Sequence, residues 1–103
     1  MSIAVIYTEP AADQILELEL WWRTNVTHDP NRVSLALAAG IELLQRYPLT
    51  GKAYRSHQVK GARRLLLPGF QYYLYYTYDP NAPQLLLLSV WSTKRKRPPL
   101  KAP

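Results

Sequence analysis

The feature that most constrains this chain is a change in the spacing of its apolar residues partway along. From residue 10 to about 25, Ala11, Ile15, Leu18 and Trp22 recur at intervals of three and four, while Asp13, Glu17 and Arg23 fall on other sides of the wheel. That spacing predicts an amphipathic helix. A second stripe, Val33, Leu37, Gly40 and Leu44, predicts another, with Asp29 as its N-cap, Pro30 at its first position and Pro48 as its stop. Gly40, in the interior of that helix, points to close approach of a neighbour. The few polar residues between the stripes, Thr27 and His28 among them, leave only a short connection, so the two helices should form an antiparallel hairpin.

Outside that region the period is that of strands. Residues 3–8 are β-branched and aromatic and run straight into the helix-start signature Thr8, Glu9, Pro10. Pro48, Thr50 and Gly51 open an irregular stretch to about residue 60. Residues 62–67 then read as a strand, Pro68-Gly69 as a tight turn, and residues 70–78 as a second strand with tyrosines on both faces. After a turn at 79–83, residues 85–88 with Val90 and Trp91 are apolar on both alternating faces, as in a central strand covered on both sides. The order is β-α-α-β-β-β: an α+β domain with a helical hairpin packed on a mainly antiparallel four-stranded sheet. Residues 1–97 should form this single domain, and residues 98–103, with three prolines and Lys101, a flexible tail.

Composition narrows the function. A chain of 103 residues, 48% hydrophobic, has enough apolar surface for one folded domain. Without cysteine it has no disulfide, thiolate metal site or thiol nucleophile, and a reducing, cytoplasmic setting fits. No basic leader with a long apolar stretch and no run approaching a membrane span is seen, so neither secretion by that route nor a membrane role is expected. The net charge is +6, which favours nucleic acid, a ribosome or an acidic protein as partner. The charge is unevenly spread: Glu9, Asp13, Glu17 and Glu19 crowd the first quarter, and Lys94, Arg95, Lys96, Arg97 and Lys101 crowd the end.

Three segments carry a resemblance. They are Val59-Lys60-Gly61-Ala62-Arg63-Arg64-Leu65-Leu66-Leu67, then Tyr73-Leu74-Tyr75-Tyr76, then Val90-Trp91-Ser92-Thr93-Lys94-Arg95. An Arg-bearing strand, a tyrosine-rich strand and a Val-Trp strand end with a following arginine, in this order, resemble the ParE/RelE toxin superfamily, which includes plasmid stabilisation proteins. The helix entry at Thr8, the aromatic close at Trp21-Trp22 and the break from Pro48 to Gly51 extend the likeness over nearly the whole chain. The resemblance implies the toxin of a type II toxin–antitoxin system, neutralised by a cognate acidic antitoxin in a hetero-oligomer. RelE-like members cleave messenger RNA on the ribosome; ParE-like members inhibit DNA gyrase without catalysis of their own.

Cleavage by a 2′-oxygen needs a base, an acid and positive charge for the transition state. By the resemblance, Arg63 or Arg64 together with Arg95 match the charge-bearing positions. Many relatives carry His after the aromatic of the last strand; here that residue is Ser92, and no Tyr or His follows it. His57, in the loop before the basic strand, is the candidate acid or base, although a lone loop histidine is more often a solvated surface residue. His28 reads the same way. Neither has a second ligand at metal-binding spacing, so no metal and no cofactor is expected.

Arg63 and Arg64 are adjacent in a strand and point to opposite faces; the bland reading makes both salt-bridge partners at a sheet edge. Together with Lys94, Arg95 and Arg97 they are the candidate target-binding residues. Tyr72, Tyr73, Tyr75, Tyr76 and Tyr78 read first as core and second as a stacking platform for bases. Of Trp21 and Trp22 one should enter the core and the other stay partly exposed; with Leu18 they are the candidate antitoxin contacts. The reading is therefore a ParE-like gyrase inhibitor, with a ribosome-dependent endoribonuclease and a non-toxic basic binding module as the alternatives.

Overall fold

The computed structural model describes residues 3–101; the first two residues and the last two of the expected tail lie outside the described part. The elements are β1 (Ala4–Tyr7), α1 (Glu9–Asn25), α2 (Arg32–Arg46), β2 (Lys52–Ala53), β3 (Arg63–Leu66), β4 (Tyr72–Asp79) and β5 (Gln84–Ser92). They form one sheet of five strands in the order β1-β5-β4-β3-β2, one more than the sequence indicates. The additional strand is β2, two residues antiparallel to β3 with Lys52 opposite Arg64 and Ala53 opposite Arg63. Two residues carry no alternation, so the pattern cannot show them. The β3-β4-β5 meander is antiparallel, and β1 runs parallel to β5.

The start of α1 is fixed by Thr8. Its backbone is extended, and its Oγ1 accepts from the Ala11 N–H at 3.3 Å while donating to the Leu87 carbonyl at 2.8 Å. One hydroxyl thus caps the helix and moors it to β5. The α2 stripe is as expected, with Val33, Leu37, Gly40 and Leu44 all buried. A Cβ at Gly40 would stand 2.9 Å from Leu67 Cδ2, which is the close approach its position suggested. The beginning of α2 departs from the expectation. Asp29 and Pro30 lie in the preceding turn, Asn31 is the cap residue without a side-chain cap, and the helix begins at Arg32. The Asp29 N–H is used by the Val26 carbonyl at 3.2 Å, a turn that delays the helix.

The sheet has apolar residues on both faces. Toward the helices lie Leu74, Tyr76, Leu85, Leu87 and Val90, packed with Ala11, Leu37, Leu44 and Leu67. On the other face Tyr75 and Leu88 meet Val59, Ala62 and Leu100, with Tyr54, Tyr73, Leu86 and Trp91 at the margin. A bulge in β5 separates the two sets: Tyr75 is paired with Ser89 and Tyr76 with Leu87, leaving Leu88 as the extra residue. Before the bulge the odd-numbered residues Leu85 and Leu87 face the helices; after it the even-numbered Val90 does, and Trp91 turns to the open face. Gln14 of α1 reaches the bulge, where its Oε1 accepts from Ser89 Oγ at 2.8 Å and from the Val90 N–H at 3.0 Å. Ser89 is 1% exposed, so this amide satisfies an otherwise stranded hydroxyl.

Candidate functional site

The paired arginines separate as strand geometry requires, and each has a distinct setting. Arg63 donates to the carbonyls of Gly51 at 2.6 Å and Leu49 at 3.3 Å, bracing the loop between α2 and β2. The same loop is held from inside by Tyr76, whose hydroxyl donates to the Pro48 carbonyl at 2.7 Å and accepts from the Gly51 N–H at 3.0 Å. Gly51 tolerates nothing larger, since a Cβ there would lie 2.6 Å from that hydroxyl oxygen and 2.9 Å from the Arg64 carbonyl oxygen. Burial pushes the Tyr76 hydroxyl up from its ordinary pKa, against the Gly51 hydrogen bond and the nearby Arg63 charge.

Arg64 points to the open face, and its guanidinium lies 4.1 Å from the Tyr73 ring centre and 5.3 Å from that of Tyr54. Tyr54 and Tyr75 meet edge to face at 4.9 Å, and Tyr73 and Tyr75 at 5.9 Å. Burial raises the Tyr75 hydroxyl pKa, opposed by hydrogen bonding from Arg64. In that hydrogen bond the guanidinium donates and the Tyr75 hydroxyl accepts. Neither arginine is a salt-bridge partner: among the described residues the ion pair is Arg46 with Glu42 on α2.

The basic run after β5 is folded back. Thr93 N–H donates to the Gln71 carbonyl, Lys94 N–H to Ser92 Oγ, and Trp91 Nε1 to the Lys96 carbonyl at 2.7 Å. Arg95 stacks on the Trp91 ring at 3.9 Å. As a result Arg64, Arg95 and Arg97 line one open cleft of about 240 Å³ with Tyr54, Tyr73 and Tyr75. Lys94 is exposed and lines neither this cleft nor the next. His57 lies outside, in an adjoining recess of about 50 Å³ that shares Tyr54, Arg97 and Pro98 with it. His28 is exposed in the connection between the helices and lines neither the cleft nor the recess. Leu100, in the segment expected to be a tail, is 6% exposed and seated on Val59, Ala62, Tyr75 and Leu88.

A second cleft, of about 460 Å³, opens between α1 and the ends of β4 and β5, with Leu18, Trp21, Tyr72, Val90 and Trp91 in its walls. Trp21 is 55% exposed there. Trp22 instead turns inward, its ring 5.2 Å from Phe70 and edge-on to it, which leaves Leu18 and Trp21 as the accessible members of the expected trio. Sequence reasoning did not single out Tyr54 or Gln14. Tyr54 sits in an irregular stretch with no period to place it, and Gln14 matters only because the bulge brings Ser89 beneath it.

No family model matches the chain, and the search of curated proteins found no match. A solved structure described as the chromosomal ParDE TA system from P. aeruginosa is similar, with a TM-score of 0.67 at 14% identity over 87% of this chain and 95% of that one. With its two helices on a five-stranded sheet, this chain has a ParE-like α+β fold.

Proposed function

We propose that this protein is the toxin of a type II toxin–antitoxin pair, of the ParE-like kind, that it inhibits DNA gyrase, and that a cognate acidic antitoxin neutralises it. The observation that carries the reading is the cleft of Arg64, Arg95 and Arg97 on a ParE-like fold. Arg64 is set by stacking on tyrosine and Arg95 on tryptophan, which suits a docking surface for a large charged target. The lining supplies charge and donors, whereas RNA cleavage also needs a group that accepts the 2′-proton. Burial moves the Tyr75 hydroxyl further up from its ordinary pKa, away from the range of a base, and Ser92 occupies the strand-end position. The likeness to a toxin–antitoxin chain and the net charge of +6 both support an acidic partner.

One observation favours the ribosome-dependent endoribonuclease as a second reading. His57 borders a recess contiguous with the cleft through Tyr54, Arg97 and Pro98. Inducible expression in a bacterium distinguishes the two. Filamentation and damage signalling with intact transcripts support gyrase inhibition; codon-phased cuts in translated messages sink it and make the arginines part of an active site. Unimpaired growth favours the non-toxic binding module. Co-expression with candidate acidic partners then identifies the antitoxin as the one that restores growth.

A further inference from the structure

The sheet has two outer strands, and they are protected unequally. β2 is two residues long, carries Lys52 and gives way to an irregular loop, and a short strand with a lysine is a usual guard of an open edge. β1, at the other edge, is Ala4-Val5-Ile6-Tyr7, with no charge, no proline and no bulge. Ile6 is 42% exposed and Tyr7 48%. We infer that this edge is where two copies of the chain pair, β1 against β1, antiparallel about a two-fold axis. The inference goes beyond the toxin–antitoxin reading and does not depend on it.

The hydrogen bonds of β1 set the register. The Ala4 N–H donates to the Pro83 carbonyl at 3.3 Å and the Thr8 N–H to the Leu87 carbonyl at 3.1 Å, so the even-numbered residues bond to β5. Val5 and Tyr7 alternate with them and turn their N–H and C=O groups away from the sheet, where no further strand lies. The Ile3 carbonyl points the same way but is taken by Gln45 Nε2 at 2.9 Å. With Ile6 opposite its own copy, Val5 stands against Tyr7 of the second chain, and such residues exchange both backbone bonds. A slip of one residue sets outward groups against inward ones. Centred on Val5, the pair would bring Tyr7 to Ile3, whose carbonyl Gln45 occupies; centred on Tyr7, it would bring Val5 to Glu9, already in α1. The register at Ile6 alone uses the free groups.

Side chains and charge agree with a second copy as the occupant. Ile6 meets its own copy at a non-bonded position, where antiparallel strands come closest, and Tyr7 against Val5 is an aromatic to β-branched pair. A net charge of +6 opposes self-association unless the cations are kept apart. β1 lies beside Gln84 to Leu87, whereas the basic run begins beyond Ser92, on the order of 15 Å further along β5. Antiparallel pairing points the two basic runs in opposite directions, well past the screening distance of about 8 Å. The result is one sheet continuous through both chains, with an arginine cleft toward each end.

The chain has no cysteine, so an introduced one reports alone. Facing residues at the axis have Cα atoms about 4.5 Å apart, within the roughly 4.4–6.8 Å that a disulfide spans. Ile6→Cys is therefore expected to form a linked dimer under mild oxidation at least about tenfold faster than Tyr7→Cys, whose copy is not opposite it. Equal rates, read on non-reducing gels, overturn the inference. Sedimentation equilibrium of the unsubstituted chain supplies a second measurement. So short an edge makes a small interface, and a dimer with a dissociation constant on the order of 10–100 µM is expected. Ile6→Lys changes an exposed side chain and sets like charges at the axis, and should raise that constant about tenfold or more. A monomer up to about 1 mM overturns the inference, as does a dimer that Ile6→Lys leaves unchanged, since another surface then makes it. In either case the toxin reading stands.

Discussion

Replacing Tyr76 by Phe removes one oxygen from the interior and should cost more than its size implies. The ring is 0% exposed, and Phe fills the same space, so no cavity opens beyond the lost hydroxyl. What is lost is the tie between the Pro48 carbonyl at 2.7 Å and the Gly51 N–H at 3.0 Å. Each hydrogen bond contributes about 1 kcal/mol, and a buried N–H left without a partner adds a desolvation cost, giving about 2–4 kcal/mol in all. For a domain near 100 residues that lowers Tm by on the order of 10–20 °C. Urea unfolding followed by tryptophan fluorescence measures it directly. A change below about 0.5 kcal/mol, with an unchanged slope, would refute the argument, because it would mean that the 48–51 loop is held without the hydroxyl.

Four further outcomes are expected. Tyr75 and Tyr76 have raised pKa values in the folded chain, so the stability they contribute is complete below the ordinary value of 10.0 and is lost as pH rises through the folded values. Urea midpoints between pH 8 and about 11 should fall, and the double Phe variant should flatten that fall. Gln14→Ala strands Ser89 Oγ and the Val90 N–H and should cost about 2 kcal/mol by the same unfolding assay. Leu100→Ala should cost about 2 kcal/mol if residues 98–101 stay seated on the second core, and a near-zero loss by differential scanning calorimetry would place them off the sheet. Arg63→Ala should lower stability by about 1–2 kcal/mol through its loop carbonyls, whereas Arg64→Ala should abolish growth arrest with little effect on unfolding.

The helical half was readable because each helix shows one apolar stripe at a constant period. Val33, Leu37, Gly40 and Leu44 are buried as their spacing required. The start of α2 was not, because Asp29-Pro30 satisfies the rules for a helix entry and for a turn equally well, and only the Val26 to Asp29 hydrogen bond decides. In β5 the run from Leu85 to Leu88 is apolar at every position, so no alternation could reveal the bulge that reverses facing between Leu88 and Val90. The adjacency of Arg63 and Arg64 fixed that they diverge, but which one meets the tyrosines depends on the pairing of Arg64 with Tyr75 and the nearby Tyr54. Arg95 was found from its motif, while its anchorage on Trp91 follows from a turn that sequence does not encode in any period.

The parallel pairing of β1 with β5 bears on the timing of synthesis. Val5 lies beside Leu85 and Ile6 beside Leu86, so the first strand to be made waits for the last before it has a neighbour. Contacts of such sequence separation form late and slowly. Thr8, which starts α1, donates to a carbonyl on that same last strand, so even the anchoring of the first helix is deferred. The basic run follows β5 directly and is shaped by Trp91 within it. A nascent chain therefore assembles its charged surface only once β5 and the basic run after it have been made, and a product truncated before β5 lacks both the surface and the strand that would support it.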